Sequence, residues 1–262
     1  MSGPPLRSSR GAPLSRRSFL AGNDRLPREL ARRLGSRVEY GARLLAVERR
    51  GDGLRLAIER LGRRQTLRAP RLVLALPLPA LREVSFDPPL PEELRRMIRE
   101  VPYTAVAKTH VQARWKFWRQ RAAVELGYSD SPFERFFDVS PDPEADRGML
   151  TVWINGSGLA RFRGHSEAAH SAAVVAFLQR LFPAGADAIE TAVTTDWSKA
   201  YSAGAYMHLA PGLVGRFGPL LGRSEGGILF AGAHTQIHLP GLEAAVVSGR
   251  KAAEEILGGK GC

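Results

Sequence analysis

Two periodicities alternate along this chain. Short alternating runs at Val38–Tyr40, Arg43–Arg49, Leu54–Arg60, Gln65–Ala69 and Arg71–Leu76 read as strands, with a hairpin turn at Gly51-Asp52-Gly53. Leu72–Leu76 is continuously apolar and closed by Pro77, which predicts a buried strand. Before these, residues 22–35 carry a helical pattern. Leu26, Leu30 and Leu34 share a face, Asn23 or Asp24 caps the start and Gly35 ends it. A second helix is predicted over Glu92–Val101, entered through Pro91. Period two returns from Tyr103 to Trp118: Val106, Lys108, His110 and Gln112 lie on one face, Ala105, Ala107, Thr109, Val111 and Ala113 on the other. Phe133–Asp146 is aromatic, then rich in Pro and Asp, and predicts a pair of mobile loops. Met149–Ile154 reads as a strand and Ser166–Leu181 as an amphipathic helix with Ala169, Ala173, Ala176, Phe177 and Leu181 toward the core.

The last pattern is strand, loop, helix. Ile228–Ala231 is a short apolar run between glycines, residues 232–241 form a loop, and Leu242–Leu257 has helical period. Its apolar positions are Val246, Val247, Ala253, Ile256 and Leu257, while Ala244, Ala245, Ser248 and Gly249 keep one side small. Such a corner turns helix N–H groups toward an electron-rich ligand, although a ligand-free corner has the same pattern.

Composition adds limits. A chain of 262 residues with 44% apolar content holds one large domain or two small ones. It contains no apolar run of membrane-spanning length, so no membrane partner is expected. The one cysteine is Cys262, which excludes an internal disulfide and points to a reducing, cytoplasmic setting. The net charge of +12 comes almost wholly from arginine. The arginines are scattered and no zinc-finger, RNA-recognition or helix-turn-helix pattern accompanies them, so nucleic acid is not an expected partner. Residues 1–19 read as a disordered basic tail. Ser15-Arg16-Arg17-Ser18-Phe19-Leu20 spells a twin-arginine motif, but charged residues follow where an export signal needs an apolar stretch.

The candidate chemistry is ambiguous residue by residue. Lys108 alone is a solvent-facing lysine on a strand, and Tyr206 alone a partly buried tyrosine. Asn155-Gly156-Ser157-Gly158 offers Gly-x-Gly, but Arg161 stands at the third glycine position, against a dinucleotide site. His234 and His238 are four apart, yet Pro240 argues against a helix there and no metal is expected.

Three stretches together are more specific. Phe230-Ala231-Gly232, the Pro240-Gly241 loop, Glu243-Ala244-Ala245, Ser248-Gly249 and Ala252-Ala253-Glu254-Glu255-Ile256-Leu257 resemble the C-terminal signature of the flavin-containing amine oxidase family. Pro88-Pro89-Leu90-Pro91, a helix, Tyr103, Lys108 and then Phe117-Trp118 resemble its substrate domain, and Trp197, Gly204-Ala205-Tyr206 and Pro211-Gly212 its flavin-facing aromatic region. The resemblance implies an α/β chain. An incomplete FAD-binding, Rossmann-like domain (residues 20–80 and 224–260) would interleave with an α+β substrate domain (81–223) built on a mixed sheet. It implies that Lys108 is catalytic, holding water or dioxygen beside the flavin, and that Tyr206 and Leu242 stand at the substrate cage. It assigns cofactor contacts to Leu44, Trp197, Gly232, Ala233, Gly241, Leu242 and Glu243. Ala205 stands where relatives carry a flavin-linked cysteine, so FAD is expected to be non-covalent if it binds. The substrate is expected to be a small amine, oxidised by hydride transfer to FAD with dioxygen as reoxidant.

Three departures qualify this. The family opens with strand, Gly-x-Gly-x-x-Gly and helix, and residues 1–22 hold none of them. Ala233 replaces an acidic residue, and Leu242 stands near the second cage tyrosine. An inactive fragment, or a subunit that needs a second chain for the dinucleotide-binding half, is therefore the alternative.

Overall fold

The computed structural model describes residues 22–119, 126–142, 144–239 and 241–258. The expected basic tail and the twin-arginine motif lie outside them. In chain order the principal elements are helix α1 (Arg25–Leu34), strands β1 (Ala42–Arg50), β2 (Gly53–Arg60), β3 (Arg63–Ala69), β4 (Leu72–Leu74) and β5 (Ser85–Asp87), and helix α2 (Glu92–Glu100). They continue with β6 (Val106–Ala113), β7 (Leu126–Tyr128), β8 (Arg135–Asp138), β9 (Gly148–Asn155), α3 (Glu167–Leu181), β10 (Ile189–Asp196), β11 (Ile228–Phe230) and α4 (Gly241–Ile256). The expected strand at 38–40 is irregular, and β4 stops two residues before the predicted end.

The chain forms two compact units, Met1–Gly35 with Thr104–Ala200, and Ser36–Tyr103 with Tyr201–Cys262. The first is built on a five-stranded sheet in the order β10-β6-β9-β8-β7. Every pairing in it is antiparallel, not mixed as expected. Its buried face carries Ala107, Val111, Phe136, Leu150, Val152 and Ile154 and is covered by Val174, Phe177 and Leu178 of α3. Each such large side chain contributes roughly 1.5–3 kcal/mol by leaving water. α3 is capped by Ser166, whose Oγ accepts from the Ala169 N–H at 3.2 Å. Its buried residues are His170, Val174, Phe177 and Leu178. The expected inward alanines 169, 173 and 176 are instead only half-buried, because the larger side chains fill the space over the sheet.

The aromatic stretch after Phe133 is not a loop. Arg135–Asp138 forms β8 between β9 and β7. Phe133 and Phe136 are buried at 5% and 0% exposure, and their burial outweighs the turn-rich composition that follows. The Gly-x-Gly at 156–158 opens a five-residue helix. A Cβ on Gly158 would stand 2.7 Å from the Pro132 carbonyl oxygen, so this glycine permits close packing.

The second unit holds a mixed four-stranded sheet, β3-β2-β1-β5, in which β1 and β5 are parallel. Val47, Leu54 and Leu56 of this sheet share a core with Leu94, Met97 and Ile98 of α2 and with Phe217 and Ile228. Residues 81–103 and 201–223 thus belong to this compact unit, although the resemblance groups them with the substrate part. β4 and β11 form a separate parallel pair with Leu72 opposite Ile228 and Leu74 opposite Phe230. α1 buries none of its residues, contrary to the leucine face expected of it. Exposed Asp24–Arg28, Glu29–Arg32 and Glu29–Arg33 pairs run along it instead.

Candidate functional site

In the first unit Lys108 lies where period two placed it, on the face of β6 opposite the hydrophobic core, and is half-buried. Strand register sets its neighbours. Lys108 lies opposite Trp153 of β9 and Thr195 of β10, Trp153 lies opposite Arg135 of β8, and Arg135 opposite Tyr128 of β7. One row across the sheet therefore reads Thr195, Lys108, Trp153, Arg135, Tyr128. The Lys108 Nζ is 4.5 Å from the centre of the Trp153 ring and the Arg135 guanidinium carbon 4.4 Å from it. Each such stack is worth about 0.5–2 kcal/mol. Arg135 Nε and Trp153 Nε1 are both buried without a hydrogen-bond partner among the described residues. A buried donor left unpaired costs about 1–3 kcal/mol.

His110, two residues along β6, has its Nδ1 2.8 Å from the Thr151 Oγ1. Burial and then the Lys108 charge push its pKa down. Trp197 directly follows β10 and begins a short turn, 41% exposed. The turn is fixed by Asp196, whose Oδ1 accepts from the Ser198 N–H at 2.9 Å. Lys108 and Trp197 therefore stand at the same end of the sheet. Arg135 and Trp153 were not singled out from sequence; only the register of three strands brings them to Lys108.

In the second unit the strand–loop–helix corner forms as expected. Gly232 has φ 125°, a conformation that disfavours any side chain, and a Cβ there would meet the His234 ring at 2.7 Å. Its N–H donates to Ser248 Oγ at 2.8 Å and its C=O accepts from Thr235 Oγ1 at 2.9 Å. The corner is thus fastened to α4 by Gly232's own backbone groups. Ala233 is exposed and begins a short turn that ends at Thr235. His234 lies in this short 3-10 turn and His238 beyond its end, so their spacing defines no shared helical face. His234 Nε2 is buried without a hydrogen-bond partner among the described residues, and burial pushes the pKa of the ring down to about 4.

Gly241, Leu242 and Glu243 open α4 and are all exposed. The first N–H groups of a helix have no partner within it, so this end can receive an electron-rich edge. Tyr206 is 43% exposed in a short extended segment. Leu44 lies just before an irregularity in the β1–β2 register, between Leu44 and Ala46, where one residue has no partner in the ladder. A cavity of about 460 Å³ lies against β11 and α4, lined among others by Phe230, Thr235, His238, Ser248 and Lys251. The structure thus gathers Gly232, Ala233, Gly241, Leu242 and Glu243 in one corner.

An open helix end and a glycine-only turn suit a flavin ring edge. Ala233 offers no carboxylate to a ribityl chain, and the Gly232 backbone is already engaged.

The fold and the sequence both have relatives. Cyclohexylamine oxidase from Brevibacterium oxydans IH-35A superposes with TM-score 0.78 at 22% identity, over 90% of this chain and 52% of that one. A redesigned putrescine oxidase superposes with TM-score 0.77 at 23% identity, over 90% and 53%. In sequence the chain is 25% identical over 253 residues to a flavin-containing amine oxidase of Danio rerio, covering 92% of this chain and 47% of that protein. It is 23% identical over 240 residues to an L-amino acid dehydrogenase of Synechocystis, covering 90% and 50%. The chain spans about half the length of the curated relatives it matches. Residues 7–257 match the model of the family described as flavin containing amine oxidoreductase. With nearly its whole length matched, the chain belongs to the flavin-containing amine oxidoreductase family, and FAD, non-covalent if bound, is the cofactor that membership implies.

Proposed function

We propose that the chain carries the substrate side and the flavin-facing C-terminal corner of an FAD-dependent amine oxidase. When bound, FAD supplies the acceptor for a hydride from the carbon next to the amine nitrogen, and dioxygen reoxidises it. Lys108 supports this reading most directly: a cation held half-buried on the sheet's polar face, beside Trp153. A fixed positive charge stabilises negative charge as it develops and orients water or dioxygen. Of the residues that would hold FAD, Trp197 would offer an aromatic face, and the open end of α4 at Gly241, Leu242 and Glu243 would offer helix N–H groups to an electron-rich edge. Tyr206 lines the path of the amine, with Leu242 where relatives have a second aromatic wall. Leu44 offers backbone to the adenine end. The visible spectrum tests this reading: protein purified with FAD should show oxidised-flavin bands that an amine bleaches in the absence of air. Protein that binds no FAD under any of these conditions refutes it.

A second reading, a subunit completed by a further dinucleotide-binding segment, is favoured by one pair of observations. Among the described residues β11 pairs only with β4, apart from a bridge between Glu225 and Ile228. α4 turns Leu242, Val246 and Ile256 outward at 47%, 53% and 39% exposure, and Leu257 just past its end is 64% exposed. A short parallel pair and a bare apolar helix face are both unfavourable left uncovered. A segment with a Gly-x-Gly-x-x-Gly turn, on this polypeptide or another, would cover them. Colourless protein that takes up FAD only with such a segment supports this version. Near-equimolar flavin in this chain alone contradicts it.

A further inference from the structure

In the second unit β3 is an edge of the four-stranded sheet, and Arg63 to Arg68 are all exposed along it. Register and the two-residue turn at Leu61-Gly62 fix where its backbone points. Arg60 and Arg63 close that turn as a hydrogen-bonded pair, so Arg63, Gln65, Leu67 and Ala69 bond back to β2. Arg64, Thr66 and Arg68 therefore turn their N–H and C=O groups outward, where no described strand receives them. By the period of two their side chains share one face, opposite to that of the core-facing Leu54, Leu56 and Ile58. Arg68 lies opposite Arg55, and on the other face Arg63 lies opposite Arg60. Like charges directly opposite are unfavourable. Arg55 and Arg60 are met by Glu48 at 3.8 Å and by Glu39 at 2.7 Å. Arg64 lies opposite Glu59, yet among the described residues neither Arg64 nor Arg68 forms an ion pair.

The same residues thus offer donors, acceptors and positive charge along one line. A second copy of this chain does not match it: the fullest antiparallel overlap, centred on Thr66, sets Arg64 against Arg68. A phosphate backbone meets the arginines and the N–H groups but brings no donor for the outward C=O groups. An extended peptide brings both. We propose that β3 is a docking edge for an extended acidic segment of a partner protein, which joins the sheet as an antiparallel strand beside Arg64, Thr66 and Arg68. Strand geometry sets the pattern of that segment. Two acids four residues apart stand opposite Arg68 and Arg64, where carboxylate and guanidinium pair across the strands. An apolar residue directly after the first acid stands opposite Leu67, which is 48% exposed. Charges on an edge strand also guard it against pairing. Here they repel a copy of the chain and select for a strand of opposite charge. This docking lies outside the flavin chemistry and does not depend on it.

The test uses the purified chain and a fluorescein-labelled peptide, Gly-Glu-Val-Thr-Thr-Glu-Gly, with fluorescence anisotropy as the readout. Binding should saturate and should weaken as salt rises. Glutamine in place of both glutamates should weaken it roughly tenfold. N-methylation of the first threonine, the residue that faces Thr66, keeps both charges and removes one strand hydrogen-bond donor. It should weaken binding to a similar degree. The double variant Arg64→Gln/Arg68→Gln changes exposed side chains only, so it should keep the melting temperature of the wild type and lose the peptide roughly tenfold. Arg64→Lys/Arg68→Lys should recover part of that loss. Equal affinity for the N-methylated peptide would mean plain charge attraction and overturns strand addition. Saturable binding of oligo-dT with no binding of the peptide makes the edge a nucleic-acid contact and overturns the proposal as well. If neither probe binds, the arginines serve only to guard the edge, and the proposal fails.

Discussion

Lys108 shows how a residue's chemistry depends on its row rather than on its own strand. Replacing it by methionine keeps the side-chain volume and removes the charge. Reoxidation of the reduced flavin in air should slow by on the order of 100- to 1,000-fold, as when one preorganised electrostatic group is lost. Rapid-mixing absorbance measures it, and an unchanged reoxidation rate removes the assigned role. Period two in β6 made Lys108 legible, since its neighbours Ala107 and Thr109 are buried while it is not fully so. Arg135 and Trp153 were illegible, because register between three strands is not written in any one of them. His234 gives a residue-scale pH dependence. Its folded-state pKa of about 4 lies below the ordinary value of about 6.5, so between these values the unfolded chain binds more protons. Stability from this group is present above about pH 6.5 and is lost as pH falls toward 4. A melting temperature followed across that window should drop on acidification, and His234→Phe should flatten the slope. An equally steep slope in the variant sinks the assignment.

At the scale of elements, α4 is the informative case. Its inward residues are Ala244, Ser248 and Ala252, four apart, while its larger apolar residues face out. Sequence periodicity located the helix and the small stripe but could not tell which stripe was buried. The outcome is decided by close approach of the corner, where Ser248 Oγ receives the Gly232 N–H. Ser248→Ala leaves that donor unpaired and should cost about 1–3 kcal/mol in chemical denaturation. A cost below about 0.5 kcal/mol, typical of surface changes, would mean that the bond contributes nothing. Val246 is the counterpart: at 53% exposure, Val246→Glu should leave the melting temperature within a degree or two, yet lower FAD retention if a dinucleotide-binding segment covers this face. Unchanged retention argues against that cover. α3 and β8 show the same limit. Helix phase and the strand after Phe133 were set by which large side chains could fill the core of their unit.

At the scale of the whole molecule, the residues matched to the family fall in two compact units. Lys108 and Trp197 belong to one, and Leu44, Tyr206 and the Gly232–Glu243 corner to the other. The family and the broad α/β class were legible because the Lys108 strand and the strand–loop–helix corner formed where their patterns predicted them, whereas the strand pairing of the five-stranded sheet was not. Charge was less informative: the net +12 arises from arginines, many of them paired on exposed faces, as with Arg32 and Glu29 or Arg99 and Glu92. The chain spans 47% of the length of a matched amine oxidase, so flavin binding is the point on which the account turns. The most direct measurement is anaerobic addition of an amine to the FAD-loaded protein, followed in the visible spectrum. The account predicts that the oxidised-flavin band bleaches, returns on admission of air, and that the flavin is released into solution by acid. Protein that takes up no FAD, or whose flavin no amine reduces, contradicts it.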